Sequence, residues 1–229
     1  MWTTNAHIAS YGLLLARTNP DVPKHNGITT MVIDMHSKGV EVRPLKMATG
    51  GSEFNEVFFD DVFVPDDDVI GPVDSGWTVA RATLGNESVS IGGGSGGGDG
   101  APAATVVALF DAHPERLNGG APRIGRSFSI SHAMAMLNLR TAHRAVQGSG
   151  PGPEGAITKL VLSENLHENT AIMSELAGPD LAFLDDKGGL AGGLVLWHRA
   201  MSIAGGTSEI KRNQIGERIL GLPRDPLIK

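Results

Sequence analysis

The chain has 229 residues, no cysteine and a net charge of −6 at pH 7. The absence of cysteine excludes a disulfide scaffold, a thiolate zinc site and a cysteine nucleophile. The negative charge disfavours nucleic acid as a partner. No segment approaches the roughly 18 consecutive apolar residues of a membrane span, and the first residues lack the pattern of a signal peptide. We therefore expect a cytoplasmic protein without a membrane span or a nucleic-acid partner.

Residues 1–70 predict β-structure. Four segments are rich in β-branched and aromatic residues and are bounded by turn signals: residues 11–17, 28–34, 40–45 and 54–64. Pro65 ends the last segment. Short strands with closely spaced turns favour a sheet or a small barrel.

Residues 71–229 predict helices, over 75–91, 101–112, 129–146, 153–176, 194–203 and 208–220. Strands followed by helices indicate the α+β class, with a β-domain over 1–70 and an all-α helical-bundle domain over 71–229. Seven of the nine residues 92–100 are glycine, which predicts a flexible insert. A phosphate-binding loop is the alternative, and it is disfavoured because no Lys-Ser or Lys-Thr pair accompanies these glycines.

Two familiar kinds of catalytic site lack support in the sequence. The eight histidines show no metal-ligand spacing, so we expect no metal site. No Gly-x-Ser-x-Gly segment is present, which removes the usual signature of a serine hydrolase.

Glu87 is the sharpest candidate for chemistry. On the predicted helix over 75–91, spacings of three and four place it in one stripe with Trp77, Ala80, Leu84 and Ile91. Burial raises the pKa of a carboxyl group, which suits a general base that works near neutral pH. The alternative is that Glu87 lies at the edge of the stripe, in solvent.

A second candidate is the segment Gly205-Gly206-Thr207-Ser208-Glu209. Thr207 or Ser208 can cap the helix that follows. The amides at the start of that helix favour an anion such as a pyrophosphate, and the glycines permit its close approach. The alternative is a helix cap after a tight turn, with no ligand.

The first residues give a third candidate. Trp2 stands beside the hydroxyl groups of Thr3 and Thr4, an arrangement that suits contact with an aromatic cofactor. A core tryptophan is the alternative.

Taken in chain order, these segments resemble the acyl-CoA dehydrogenase family. Residues 2–7, 13–18, 27–35, 39–45 and 54–65 are similar to its middle β-domain. The segments Gly76-Trp77, Asn86-Glu87, 203–212 and 217–224 are similar to its C-terminal helical domain. The matches are collinear and cover most of the chain except about residues 92–150.

The resemblance implies a fold and an activity. The family uses FAD to oxidise an acyl-CoA thioester to the 2,3-enoyl-CoA, and it passes electrons to an electron-transfer flavoprotein. The resemblance further implies that Trp2 and Thr4 contact the cofactor. In the C-terminal segment, it implies the same role for Gly205, Gly206, Thr207 and Glu209.

The resemblance also bears on the catalytic base. Many members carry a glutamate directly before Gly-Thr-Ser, where this chain has Gly205. Other members place the base at the position of Glu87, so the resemblance and the helical stripe select the same residue. Ser88 stands where the family usually has arginine.

The family's N-terminal helical domain and first β-strands have no counterpart here, so we expect an N-terminally truncated chain with a partial antiparallel β-domain. The resemblance implies a homo- or hetero-oligomer. Members with this glycine-rich ending often act on bulky substrates, including steroid side chains. The alternative is a non-catalytic partner subunit, or a fragment, of a heteromeric acyl-CoA dehydrogenase.

Overall fold

The computed structural model describes residues 1–92, 103–148, 152, 154–183 and 186–224, without the side chains of 86–92, 103, 145 and 186–188. Beyond Gly92, the predicted flexible insert at 92–100 lies outside the described residues. The chain divides into two compact units, Met1–Leu84 and Gly85–Lys229. The predicted domain boundary at residue 70 stays a prediction.

The described residues of the first unit form six strands: β1 (Thr3–Thr4), β2 (Tyr11–Arg17), β3 (Ile28–Asp34), β4 (Val40–Pro44), β5 (Phe54–Phe59) and β6 (Val69–Ile70). They pair antiparallel in two three-stranded sheets, ordered β1-β5-β4 and β2-β3-β6. Strands β2 and β3 have the predicted bounds, and β4 ends one residue earlier than predicted.

The strand predicted over 54–64 is wrong at its end, because β5 stops at Phe59. The Asp60 amide donates to the carbonyl oxygen of Gly39 at 2.9 Å, and Asp61 has a φ of +50°. A left-handed residue breaks the pleat of a strand. The aromatic and β-branched pattern continues past this turn, so the pattern does not reveal where the strand ends.

Helix α1 (Gly76–Gly92) starts against strand β3. Thr30 Oγ1 donates to the carbonyl oxygen of Gly76 at 2.9 Å, and a Cβ at Gly76 would lie 2.4 Å from the Thr30 amide nitrogen. Only glycine permits so close an approach. Just before the helix, the Asp74 amide donates to Thr29 Oγ1 at 2.9 Å. Buried polar contacts therefore fix the start of the helix that carries Glu87.

The second unit is helical in its described residues: α2 (Ala103–Ala112), α3 (Ala121–Val146), α4 (Glu154–Ala177), α5 (Asp186–Trp197) and α6 (Ser208–Arg218). Its main core surrounds the C-terminal half of α4, where Ile172, Met173 and Leu176 are fully buried. Sheets in one unit and helices in the other confirm the predicted α+β class. No described helix combines the length and apolar character that crossing a membrane requires.

Helix α3 begins at Ala121, well before the predicted start at residue 129. Pro122 lies in its first turn, where proline costs no hydrogen bond. Gly125 and Ser127 weaken the helical propensity of this segment. Ile124 is buried in the main core and Ser127 Oγ hydrogen-bonds the side chains of Asn165 and Asn169 in α4, and these tertiary contacts compensate for that weakness.

The helix predicted over 194–203 is wrong at its start and does not form a single α-helix. Helix α5 spans Asp186–Trp197 and is followed by a 3-10 turn, His198–Ser202. Four of the residues 188–193 are glycine, which hides the helix because glycine costs about 1 kcal/mol per helical position. The helix is supported by tertiary packing, since Ala191 is fully buried in the main core and Leu194 packs against it.

Candidate functional site

The turn before helix α6 brings four of the predicted cofactor-binding residues together. Gly205 and Gly206 have φ values of +64° and +95°. Thr207 is the N-cap of α6, and its Oγ1 accepts a hydrogen bond from the Ile210 amide at 3.3 Å. Of the two caps that the sequence offered, Thr207 is therefore the one used. The turn is half-buried, so part of its backbone faces solvent.

Glu209 lies in the first turn of α6 and is exposed. The hydrogen bond from its own backbone amide, followed by one from the Thr207 side chain, lowers the pKa of the Glu209 carboxyl. A carboxylate at a helix N-terminus also interacts favourably with the helix dipole. Glu209 and Thr207 thus form one capping arrangement at the exit of the glycine turn.

Two buried lysines lie behind this turn. Lys159 in α4 is 0% exposed, and Lys211 in α6 is 3% exposed. Lys159 Nζ donates to the carbonyl oxygen of Met201 at 2.7 Å. A Cβ at Gly206 would lie 3.1 Å from Cε and 3.3 Å from Nζ of Lys211. The glycine turn is therefore packed against one of the two buried cations.

Burial is the largest influence on the pKa of Lys159 and lowers it; the charge of Lys211 lowers it further, whereas Glu209 raises it. Among the described residues, no carboxylate lies within ion-pairing distance of Lys159. This ammonium is therefore held in the interior by a backbone carbonyl.

Neither lysine was predicted from the sequence as a residue of the site. Near the start of α4, the apolar residues Ile157, Leu160 and Val161 are only half-buried. The buried positions of this stretch include Ala156, Lys159 and Leu162. Lys159 lies three residues from both Ala156 and Leu162, but a lysine at such a position is normally placed in solvent, so the sequence carries no signal of its burial.

Trp2 and Thr4 lie together in the first unit. Trp2 is 65% exposed with a φ of +64°, and its ring meets that of Phe54 edge to face at 6.0 Å. Thr4 pairs with Phe54 across strands β1 and β5. The alternative that Trp2 is a core residue is wrong for the described chain, since most of its indole is accessible.

Glu87 lies in helix α1, but its side chain is outside the described part of the chain. Of the residues that share its predicted stripe, Trp77 is half-buried and stacks on His25 with ring centroids 4.1 Å apart. Ala80 is buried, whereas Leu84 is 54% exposed. The role of Glu87 as a base stays a prediction.

The structure also bears on metal binding. Among the residues it describes, no three His, Asp or Glu side chains gather as ligands for a metal ion.

Comparison with known protein families adds a further finding. The model of the acyl-CoA dehydrogenase middle domain matches residues 1–62, and that of the acyl-CoA dehydrogenase C-terminal domain matches residues 74–220. The chain belongs to the acyl-CoA dehydrogenase family. The resemblance found in its motifs is thereby confirmed. Members of this family are oxidoreductases that bind FAD.

Two acyl-CoA dehydrogenases from Mycobacterium tuberculosis are similar to this chain over almost its whole length. It is 39% identical to acyl-CoA dehydrogenase FadE34, over 98% of this chain and 30% of FadE34. It is 33% identical to acyl-CoA dehydrogenase IpdE1, over 98% of this chain and 58% of IpdE1. The chain thus spans less than two thirds of the length of either relative.

Solved structures share the fold of this acyl-CoA dehydrogenase chain. The Tcur3481-Tcur3483 steroid ACAD superposes with a TM-score of 0.84 at 22% identity, over 98% of this chain and 60% of that one. PigA with FAD and proline superposes with a TM-score of 0.75 at 22% identity, over 96% and 58%.

Proposed function

We propose that this chain takes part in FAD-dependent dehydrogenation of an acyl-CoA thioester to the 2,3-enoyl-CoA, with Glu87 as the base that removes the α-proton. The observation that carries the proposal is the ordered match of two acyl-CoA dehydrogenase domains over residues 1–62 and 74–220. Electrons leave to an electron-transfer flavoprotein.

The residues present fit FAD. The exposed indole of Trp2 offers an aromatic surface, and Thr4 lies two residues away. The turn at Gly205 and Gly206 offers a backbone free of side chains, followed by the Thr207 hydroxyl. These groups, with Glu209, would hold the cofactor. FAD, when bound, accepts the β-hydrogen of the substrate as a hydride.

Position 205 supports the assignment of the base to Glu87. Glycine has no group that accepts a proton, and Gly205 has a φ of +64°, which strains any other residue at this place. A carboxylate on helix α1 supplies the missing proton acceptor. In the proposed step, the α C–H bond breaks with its proton passing to Glu87, while the β-hydrogen leaves with its bonding pair and a carbon–carbon double bond forms.

We infer a bulky acyl group, such as a steroid side chain, as the substrate. The support is the fold shared with a steroid ACAD and the glycine-rich ending of the chain. The proposal includes a homo- or hetero-oligomer located in the cytoplasm.

The test begins with the purified chain incubated with FAD and separated from free flavin by gel filtration. We expect co-eluting flavin absorption, and conversion of a steroid side-chain acyl-CoA to its enoyl-CoA with ferricenium as electron acceptor. Glu87→Gln should abolish turnover and retain flavin, whereas the exposed Glu115→Gln should retain both. Full turnover by Glu87→Gln would contradict the assignment of the base.

A second candidate function is that of a non-catalytic partner subunit or fragment of a heteromeric acyl-CoA dehydrogenase. The observation that favours it is Gly205, where many members carry their base. On this account the chain is colourless when purified alone and co-purifies with a larger homologue when the two are expressed together. A flavin-bound, active chain would exclude it.

A further inference from the structure

Helix α4 contacts the residues that flank the glycine turn, both before it and after it in the chain. Upstream of the turn, Lys159 Nζ donates to Met201 O at 2.7 Å, and His167 Nε2 hydrogen-bonds Ser202 Oγ at 2.6 Å. Downstream of the turn, Ser163 Oγ lies 3.3 Å from Ser208 Oγ. One face of α4 therefore holds the two ends of the segment that carries Gly205, Gly206 and Thr207.

Lys159 is the unusual member of this face because it is a fully buried cation. Burying an ammonium group is strongly unfavourable unless it is well hydrogen-bonded. A methionine of similar length would avoid this cost, so stability alone does not favour lysine here. The hydrogen bond to Met201 is thus the feature that distinguishes Lys159 from an apolar residue.

The acceptor of this bond lies near the end of the 3-10 turn His198–Ser202. The last carbonyl groups of a helical turn lack partners within it. Ala200 O accepts the amides of Ile203 and Ala204 at 3.0 and 2.9 Å, whereas Met201 O accepts the Lys159 ammonium. A positive charge at the C-terminal end of a helical turn is also electrostatically favourable. The hydrogen bond from Lys159 thus lies where the 3-10 turn ends and the glycine segment begins.

We propose that Lys159 is a positioning residue for the cofactor-binding turn, acting through Met201 to hold Gly205, Gly206 and Thr207 in place. This inference rests on the proposed function for its consequence, since a displaced turn binds FAD less tightly. It makes a separate claim about the turn itself, which is observable without FAD.

The test compares Lys159→Met with Leu176→Ala in the full chain. Leu176 is fully buried in the same helix but belongs to the main core, which does not include Met201, the partner of Lys159. Amide hydrogen exchange by mass spectrometry should show exchange of residues 200–208 raised about tenfold in Lys159→Met, as expected for loss of a hydrogen bond from a charged donor. Exchange of residues 170–177 should be unchanged. Leu176→Ala should show the opposite pattern.

Flavin affinity gives the second readout. At equal fractions of folded protein, Lys159→Met should bind FAD about tenfold more weakly than the wild type, from the same hydrogen-bond strength, whereas Leu176→Ala should bind FAD normally. Wild-type chain that binds no FAD would overturn the proposed function and leave the exchange comparison as the test of Lys159.

Unchanged exchange of residues 200–208 in Lys159→Met would overturn the inference, as would a uniform increase across the second unit. If Lys159→Met does not fold, Lys159→Gln replaces it, since glutamine keeps a neutral N–H donor on a shorter side chain. In Lys159→Gln, too, amide exchange should rise only in residues 200–208. Wild-type exchange in that segment would count against the inference.

Discussion

The substitution Gly206→Ala tests the packing of the cofactor-binding turn. Gly206 has a φ of +95°, outside the left-handed region that other residues visit, and such strain costs about 1–3 kcal/mol. The added Cβ would lie 3.1 Å from Cε of the buried Lys211, so that side chain must also shift. We expect the free energy of unfolding to fall by about 2–3 kcal/mol.

Gly221→Ala is the matched control. Gly221 has a φ of +69°, and a Cβ there would have no atom of the described residues within 4 Å apart from its chain neighbours, so we expect a loss of only about 1 kcal/mol. Urea unfolding followed by far-UV circular dichroism measures both variants, with equal m-values as the condition for comparison. If Gly206→Ala were no less stable than Gly221→Ala, the argument from Lys211 would be wrong.

Three further predictions concern the second unit. Leu176→Ala should lower the free energy of unfolding by about 2–5 kcal/mol, because it leaves a cavity in the main core; a change below that range in urea unfolding would contradict the assigned core. Arg123 contacts Glu168 at 2.7 Å and Glu175 at 2.8 Å in partly exposed ion pairs, so Arg123→Gln should cost about 1 kcal/mol, and added salt should reduce the difference. Burial, followed by the charge of His198, lowers the pKa of His167 below its ordinary 6.5. The unfolded chain therefore binds the proton more readily, and stability should fall as the pH falls below about 6.5; His167→Gln should flatten this dependence, and an unchanged slope in melting temperature against pH would refute it.

Local patterns were sufficient to predict much of the first unit. Strands β2 and β3 alternate or cluster β-branched residues between clear turn signals, so their bounds followed from the sequence. The end of β5 did not, because it depends on the left-handed Asp61 and on the contact of Asp60 with Gly39. Asp60 and Gly39 are far apart in the chain, so their contact leaves no periodic pattern in the sequence.

The second unit shows where propensity fails. Helix α5 contains four glycines, and its packing against the core through Ala191 and Leu194 is a tertiary effect that opposes their weak intrinsic preference for a helix. In the candidate site, a local rule predicted a cap at Thr207 or Ser208, and Thr207 is the residue that forms it. Lys159 did not follow from a local rule, since its partner Met201 is 42 residues away, and a lysine is normally placed in solvent.

Exchange of the substrate α-proton tests the central claim most directly. The chain loaded with FAD is incubated with a steroid side-chain acyl-CoA in deuterium oxide, and deuterium in the recovered thioester is measured by mass spectrometry. We predict incorporation at the α-carbon by the wild type and by Glu115→Gln, and a rate at least about 100-fold lower for Glu87→Gln, within the range that general-base catalysis supplies. Equal rates for the wild type and Glu87→Gln, or no exchange by the wild type, would contradict the account.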